Sequence, residues 1–186
     1  MLNERQLGEY IDAHYQRRGD QLFRMERLPV YEGNAAQTAR WVGGATEPDW
    51  ATKRGWLELL ADDKRRGLVS RRVRLFTADM TDDERASCAF GYALNGRYED
   101  IRVLRAGEHP RLDVLDHDYW VIDTRDHVRH VLAMRYDPAG RFLGADVIPP
   151  AGHTPYARER KLGWAIAEPF NQWWAKHPDL HRRTAA

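Results

Sequence analysis

The sequence predicts one α/β domain with a mixed sheet, a helical N-terminal cap, and a C-terminal hairpin and helix. Three observations predict this class. A strand pattern, a capped helix and a second strand follow one another between residues 69 and 104. Further strand patterns with an intervening turn follow between residues 119 and 148, and the N-terminal third has its apolar residues at helical spacing. At 186 residues the chain has the usual length of one domain.

The N-terminal part, residues 1–68, is predicted to be a helical cap segment. Asn3 is suited to begin a helix, because apolar residues follow it at helical spacing. Two further helices are expected, at about 34–42 and at about 52–67. The apolar run at 22–28 is predicted to be an extended interruption of this cap.

Residues 69–177 are predicted to form the α/β core. Strands are expected at 71–76 and 100–104, joined by a helix that begins at Thr81 and has Glu84 in a capping box. Two strands joined by a helix pair in parallel through a right-handed crossover, so we expect these two to be neighbours in the sheet.

The rest of the predicted core is a strand at 119–122, a hairpin at 128–148 and an aromatic helix at 156–174. Pro169 is expected to kink or restart that helix. The aromatic side chains of the helix predict packing against the sheet. Residues 178–186 are predicted to be a flexible tail.

Composition excludes several classes of protein. The chain has 29 basic and 28 acidic residues, without the cationic surplus that direct nucleic-acid binding needs. Cys88 is the only cysteine, which excludes an internal disulfide and a cysteine-based zinc site. No apolar run approaches the roughly 20 residues of a membrane span, and none resembles a signal peptide. We therefore expect a cytoplasmic protein.

Several short runs occur in an order that resembles a known family. They are Phe23-Arg24-Met25-Glu26, Leu28-Pro29 with Tyr31, Arg71-Arg72-Val73-Arg74, Glu99-Asp100-Ile101-Arg102, Asp118-Tyr119-Trp120-Val121-Ile122-Asp123, Met134-Arg135-Tyr136-Asp137, and Gly140-Arg141-Phe142-Leu143-Gly144-Ala145. Over nearly the whole chain they resemble an actinobacterial domain-of-unknown-function family, number 6879. The resemblance implies no established activity, but it implies an association with small helix-turn-helix regulators.

The order of elements is also similar to one half of the phospholipase D fold, which sensor domains of some transcription regulators use. The signature of that superfamily is His-x-Lys, four residues, then Asp. His130 and Asp137 stand at this interval, and Leu132 occupies the lysine position. The likeness implies that His130 attacks phosphorus, while the missing lysine removes a charge that would stabilise the transition state.

Two arginines on the predicted neighbouring strands are candidate ligand residues. Arg74 and Arg102 come late in their strands, and open α/β sheets bind ligands beyond the carboxyl ends of strands. Side by side they would form a fork for an anion, whereas the alternative is pairing with acidic side chains such as Glu99. The candidate ligand-binding residues at this sheet end, under the cap, are Arg74, Arg102, Asp118, Trp120, Asp123 and Trp56. No cofactor and no metal site are predicted.

The sequence favours a non-catalytic ligand-sensing or protein-interaction module that works with a transcription regulator. The expected ligand is a small anion, and the expected assembly is a homodimer, since a half-fold leaves a sheet edge or face uncovered. The alternative is a small-molecule enzyme, phosphodiesterase-like, that uses His130 and Asp137. His130 on a cleft floor beside a carboxylate would favour the enzyme, and His130 on an exposed strand face would favour the sensor.

Overall fold

A single seven-stranded mixed sheet, with helices on both faces, organises the computed structural model, which describes residues 1–109 and 115–181. The strands are β1 (Gln21–Glu26), β2 (Val69–Phe76), β3 (Asp100–Arg105), β4 (Tyr119–Asp123), β5 (Arg129–Tyr136), β6 (Phe142–Ile148) and β7 (Glu168–Pro169). The α-helices are α1 (Glu4–His14), α2 (Ala35–Val42), α3 (Trp50–Arg66), α4 (Asp82–Ala86), α5 (Ala93–Asn95), α6 (Thr154–Ile166) and α7 (Phe170–Lys176). The predicted α/β class with a mixed sheet is confirmed.

The strand order across the sheet is β6-β5-β4-β1-β2-β3-β7. Strands β1, β2 and β3 are parallel to one another, and every other neighbouring pair is antiparallel. Val73 of β2 lies opposite Arg102 of β3, so the predicted parallel pairing of these two strands is confirmed. The predicted hairpin is the β5–β6 pair.

One segment assigned to the cap belongs to the sheet instead. Strand β1 is the central strand, parallel to β2 on one side and antiparallel to β4 on the other. Its side chains are buried on both faces, including those of Arg24 and Glu26. A strand that is buried on both faces does not alternate polar and apolar residues. The two charged residues of β1 also make its sequence resemble that of an exposed segment. The segment is extended as predicted over residues 22–26, but it is the central strand of the sheet rather than an interruption of the cap.

The helices cover the two faces of the sheet differently. On one face, Phe23, Met25 and Val131 belong to a core that also includes Tyr156 of α6. On the other face, Leu7 of α1 belongs to a second cluster that lies over the β4–β5 half of the sheet. Helices α2, α3 and α4 lie over the β1–β3 half of that second face, and they leave a cavity beneath them.

Helix boundaries follow the predicted caps but not the predicted continuity. Capping boxes at Asn3 and Thr81 begin α1 and α4. The helix that Thr81 begins changes to a π-helix over Ser87–Tyr92 before α5 ends it. The predicted terminal helix is interrupted by β7, and a second helix, α7, begins directly after Pro169.

The first residues of the predicted tail form a regular element in the structure. Pro178–Leu180 form a short 3₁₀ turn, and the Leu180 side chain is buried. Residues 182–186 of the predicted tail lie outside the described residues. Within the described part of the chain, no helix combines the length and the apolar character of a membrane span.

Candidate ligand-binding cavity

A cavity of about 610 Å³ separates the sheet from the helical cap. This volume is within the range of small-molecule binding sites in proteins. The sheet supplies the floor, helices α2 and α3 supply one side, and the π-helix with α5 supplies the other. The floor includes Glu26, Arg72 and Tyr136. The side formed by the cap includes Tyr31 before α2, Arg40 on α2, Asp49 at the start of α3, and Thr52, Lys53 and Trp56 on α3. The opposite side includes Ser87, Gly91, Tyr92 and Asn95.

The pairing of β1 with β2 concentrates charge on the cavity floor. Arg24 lies opposite Arg72 and Glu26 lies opposite Arg74, in parallel register. Residues two apart on a strand share a face, so all four side chains lie on the same face of the sheet. Glu99, which immediately precedes β3, joins them.

These buried charges satisfy one another almost completely. Arg72 Nη1 donates to both carboxylate oxygens of Glu26 at 2.8 Å, and Nη2 donates to both oxygens of Glu99 at 3.3 Å. Glu99 also accepts from the Arg24 guanidinium and from the Ser70 hydroxyl. Burial alone would raise the pKa of Glu99, but the two arginines and the hydroxyl outweigh it and lower the pKa to about 2. Arg24, Glu26, Arg72 and Glu99 thus form a charge-balanced platform in the floor, and Arg74 pairs separately with Glu84 at 3.5 Å.

Like Arg40 at the rim of the cavity, Lys53 is a cationic side chain of the lining that lies outside this platform. It is half-buried on the first turns of α3 and has no acidic partner within the part of the chain that the structure describes. Burial and then the nearby Arg72 charge lower the pKa of Lys53 to about 8. A protonated amine without a counter-ion in a partly desolvated site favours an anionic ligand.

Aromatic rings form much of the remaining wall. The Tyr31 and Tyr136 rings meet edge to face, with centroids 5.6 Å apart. The Arg24 guanidinium lies between two indoles, 5.9 Å from the ring centroid of Trp56 and 5.1 Å from that of Trp120. Of these rings, Tyr31, Tyr136 and Trp56 line the cavity, and they offer flat apolar surfaces on which a planar ligand can stack.

Two polar atoms in the cavity wall are buried without partners. Asn95 is only 4% exposed, and its Oδ1 finds no hydrogen-bond partner among the described residues. The Nε of Arg72 is likewise buried and has no hydrogen-bond acceptor among those residues. Unpartnered buried polar atoms are uncommon in native proteins and mark places where a water or a ligand completes the bonding. Asn95 ends α5, three residues after the π-helix, a distortion that is frequent at functional sites.

The structure brings some predicted ligand residues to this cavity. Trp56 lines it, and Trp120 lies beneath Trp56 across the Arg24 guanidinium. Arg74 is fully buried beside the cavity, where it donates to the Leu28 carbonyl and to Tyr31 Oη.

Asp118 is connected to the cavity through Tyr31. Its carboxylate accepts from Tyr31 Oη at 2.5 Å and from the Arg27 backbone N–H at 2.8 Å. Burial raises the pKa of Asp118 to about 6, with a further contribution from the Glu26 charge and partial relief from the Tyr31 hydrogen bond. Asp118 therefore shares hydrogen bonds with a residue of the cavity wall without lining the cavity itself.

The predicted arginine fork is not formed. Arg74 lies opposite Val103 and Arg102 lies opposite Val73, so the parallel register puts the two arginines on opposite faces of the sheet. Arg102 donates to the Trp164 carbonyl at 3.0 Å and stacks on that indole. A register offset of one residue cannot be read from the two strand sequences separately.

Asp123 also lies away from the cavity. It is at the end of β4, where its carboxylate accepts from Arg129 at 2.6 Å and from the Arg160 guanidinium. These ion pairs connect β4 with β5 and with α6. They satisfy the charge of the Asp123 carboxylate, so no ligand is needed there.

His130 and Asp137 do not form one site. His130 is the second residue of β5 and Asp137 follows its last residue, so they are seven positions apart in extended chain, about 23 Å. His130 Nδ1 lies 2.8 Å from Tyr10 Oη, and its ring stacks on His14, so α1 covers it. Burial, with the neighbouring histidines, lowers the pKa of His130. Among residues 1–109 and 115–181, no carboxylate is hydrogen-bonded to it.

Asp137 has a local role at the turn after β5. Its carboxylate accepts from the backbone N–H groups of Ala139 and Arg141 and from the Arg141 side chain. Elsewhere too, the described residues contain no group of three His, Cys, Asp or Glu side chains that could hold a metal ion.

Sequence reasoning missed the residues that define the cavity, namely Lys53, Arg72 and Asn95. A signal for Arg72 existed, because Arg24, Glu26, Arg72 and Glu99 all fall within the runs that carry the family resemblance. Lys53 and Asn95 lie on helices without any motif, so only the packing of those helices identifies them.

Comparison with known protein families gives one match, and the matched segment contains the whole cavity. The family model described as "Domain of unknown function (DUF6879)" matches residues 9–175, which include every residue of the cavity wall. No curated protein and no solved structure matches the chain. The likeness to half of the phospholipase D fold, the homodimer and the regulator partner therefore stay predictions.

Proposed function

We propose, for a chain that belongs to the DUF6879 family, the non-catalytic binding of a small anionic molecule in the cavity beneath the cap. The observation that carries the proposal is the combination of a 610 Å³ cavity with a half-buried lysine that has no acidic partner among the described residues. A ligand carboxylate or phosphate would supply the missing counter-ion.

A binding role accounts for the site better than catalysis does. Glu26 and Glu99 are committed to Arg72, which leaves neither free to take a proton from a substrate. His130, the nucleophile that the phospholipase D likeness implies, lies under α1 rather than in the cavity. The site offers recognition groups without a nucleophile and base in contact.

The arrangement of the cavity suits a sensing role. Helices α2 and α3 contribute one wall and the sheet contributes the floor, so a bound molecule would contact both. A ligand with contacts to two separate parts stabilises the arrangement in which both contacts are made. We propose that the cap reports occupancy to a protein partner, and a helix-turn-helix regulator is the partner class that the family resemblance implies.

The proposal is tested by capture of small molecules from a cell extract. Purified wild type is incubated with the metabolite pool, separated by gel filtration and denatured, and the released compounds are measured by mass spectrometry. The blocking variant is Gly91→Leu, because Gly91 lines the cavity and a Cβ there meets no atom within 4 Å. The control is Gly8→Leu on the exposed face of α1, where a Cβ also meets nothing within 4 Å.

We expect anionic compounds to be enriched with wild type and with Gly8→Leu and to be lost with Gly91→Leu. Thermal unfolding of all three proteins verifies that Gly91→Leu is folded. Equal recovery from the blocking variant and wild type, or no compound retained by wild type, would contradict the proposal.

A further inference from the structure

We infer that the cavity recognises a planar aromatic monoanion, with Lys53 binding its acid group and Trp56 packing on its ring. This inference rests on the proposed function, because it specifies which small anion the cavity accepts. Four independent features of the wall carry it: the net charge, the spacing of Lys53 and Trp56, the aromatic surfaces, and the unpartnered amide of Asn95.

The charged side chains that line the cavity leave a surplus of one positive charge. Arg24 and Arg72 are balanced by Glu26 and Glu99 in the buried platform. Two lining charges remain on the rim besides Lys53, and these are opposite in sign: Arg40 on α2 and the carboxylate of Asp49 at the start of α3.

The rim charges offset each other. The Asp49 carboxylate caps α3 through Ala51 N and Thr52 Oγ1, and the charge of Arg40 contributes to the lowering of its pKa. Lys53 is then the single unbalanced charge of the lining. A ligand with one negative charge neutralises it, whereas a second negative charge would be buried without a partner.

The spacing of Lys53 and Trp56 sets the shape of the ligand. Both residues line the cavity from α3, and residues three apart on a helix are neighbours on one face, with Cβ atoms about 5–6 Å apart. An acid group bound by Lys53 therefore lies close to a ring that stacks on Trp56. The long lysine chain can reach an acid group held close to that ring, so the spacing is compatible with an acid joined to the ring by a short linker.

The opposite walls match the two other properties of such a ligand. Tyr136 on the floor and Tyr31 before α2 line the same space, and their rings meet edge to face. Asn95 Oδ1 can accept a hydrogen bond from an N–H on the ring, which would satisfy an atom that has no partner among the described residues. Together they favour a nitrogen-containing aromatic carboxylate over an aliphatic acid.

The test compares three probes of similar size by calorimetric titration. Indole-3-acetate has the ring, the N–H and one negative charge, indole-3-acetamide lacks the charge, and cyclohexylacetate lacks the aromatic ring. The variants are Lys53→Met, which removes the cation, and Lys53→Arg, which restores it. The control is Lys161→Met, an exposed lysine on the opposite face of the sheet.

We expect wild type and Lys161→Met to bind indole-3-acetate at least tenfold more tightly than either of the other probes. Lys53→Met should abolish the preference for the acid over its amide, and Lys53→Arg should restore most of it. The Gly91→Leu variant should bind none of the probes.

The outcomes separate this inference from the proposed function. Equal affinity for acid and amide, or for aromatic and aliphatic acids, overturns the inference but leaves cavity binding intact if Gly91→Leu still blocks it. Failure of all three probes, together with captured compounds that are aliphatic or multiply charged, also overturns it. Binding that Gly91→Leu does not reduce overturns the proposed function itself.

Discussion

Glu99 is the residue on which the cavity floor depends most. It holds the Arg24 and Arg72 side chains together, and it accepts from Ser70 as well. Removal of one partner from a buried ion pair leaves the other charges desolvated, which typically costs about 3–5 kcal/mol. We therefore expect that removal of the Glu99 charge disrupts all of the ion pairs of the platform together.

Glu99→Gln should lower the free energy of unfolding by about 3 kcal/mol or more at pH 7, measured by urea denaturation. Asp146→Asn is the matched control, because that carboxylate pairs with Arg135 at the surface and such pairs contribute about 0–1 kcal/mol. The pKa of Glu99 is lowered on folding, so its contribution is present above about pH 4.5 and is lost as pH falls toward 2. A loss as small as that of the control would contradict the assignment.

Asp118 should affect stability in the opposite sense, because its pKa is raised to about 6 on folding. Between about pH 4 and pH 6 the folded state holds a proton that the unfolded state has released. Stability is therefore expected to fall as pH rises through this window, on the order of 3 kcal/mol, and to stay lower above it.

Asp118→Asn mimics the protonated carboxyl and should remove this fall. The measurement is the difference between the unfolding free energies of variant and wild type at several pH values, which cancels the contribution of Glu99. A difference that does not change between pH 4 and pH 6 would show that Asp118 does not titrate there.

At the scale of elements, the helix from Thr81 shows how local chemistry fixes a boundary. The Thr81 hydroxyl accepts from Glu84 N at 3.2 Å and donates to the Pro29 carbonyl at 2.7 Å. Glu84 in turn accepts from the backbone N–H groups of Thr81 and Thr77. The cap therefore connects the start of α4 with the loop after β1.

Thr81→Ala should destabilise the protein by about 1–2 kcal/mol, because it removes both the helix cap and the link to Pro29. Thr81→Ser keeps the hydroxyl and should retain most of the stability. Chemical denaturation of both variants distinguishes them, and equal losses would indicate that the methyl group rather than the hydroxyl is important.

Such local signals explain which elements the sequence predicts correctly. Caps at Asn3 and Thr81 and the parallel β2–β3 unit depend on residues close together in the chain. Strand β1 is different, because the burial of Arg24 and Glu26 depends on partners far away in the chain, including residues of β2 and the residue before β3. The same dependence on distant residues limits prediction of the site. Trp56 was predicted correctly as a residue at the cavity, but the opposite orientations of Arg74 and Arg102 depend on the register between strands.

At the scale of the whole molecule, the cavity lies where two structural parts meet. The sheet beneath it is held by a charge platform and by cores on both faces. Helices α2 and α3 above it contribute few fully buried side chains, Trp41 and Leu60. A cap with little buried surface opens at lower free energy than the core beneath it. Ligand binding should therefore affect the cap more than the sheet.

Hydrogen exchange on the wild-type protein tests this expectation. With a saturating ligand from the capture experiment, the amides of α2 and α3 should exchange at least tenfold more slowly, because the ligand must leave before the cap can open. Amides of β6 and α6, which do not line the cavity, should change little. Equal slowing everywhere would indicate global stabilisation, and slowing confined to the sheet would show that the cap does not close on the ligand. Either result would remove the physical basis for the cap as the part that reports occupancy to a partner.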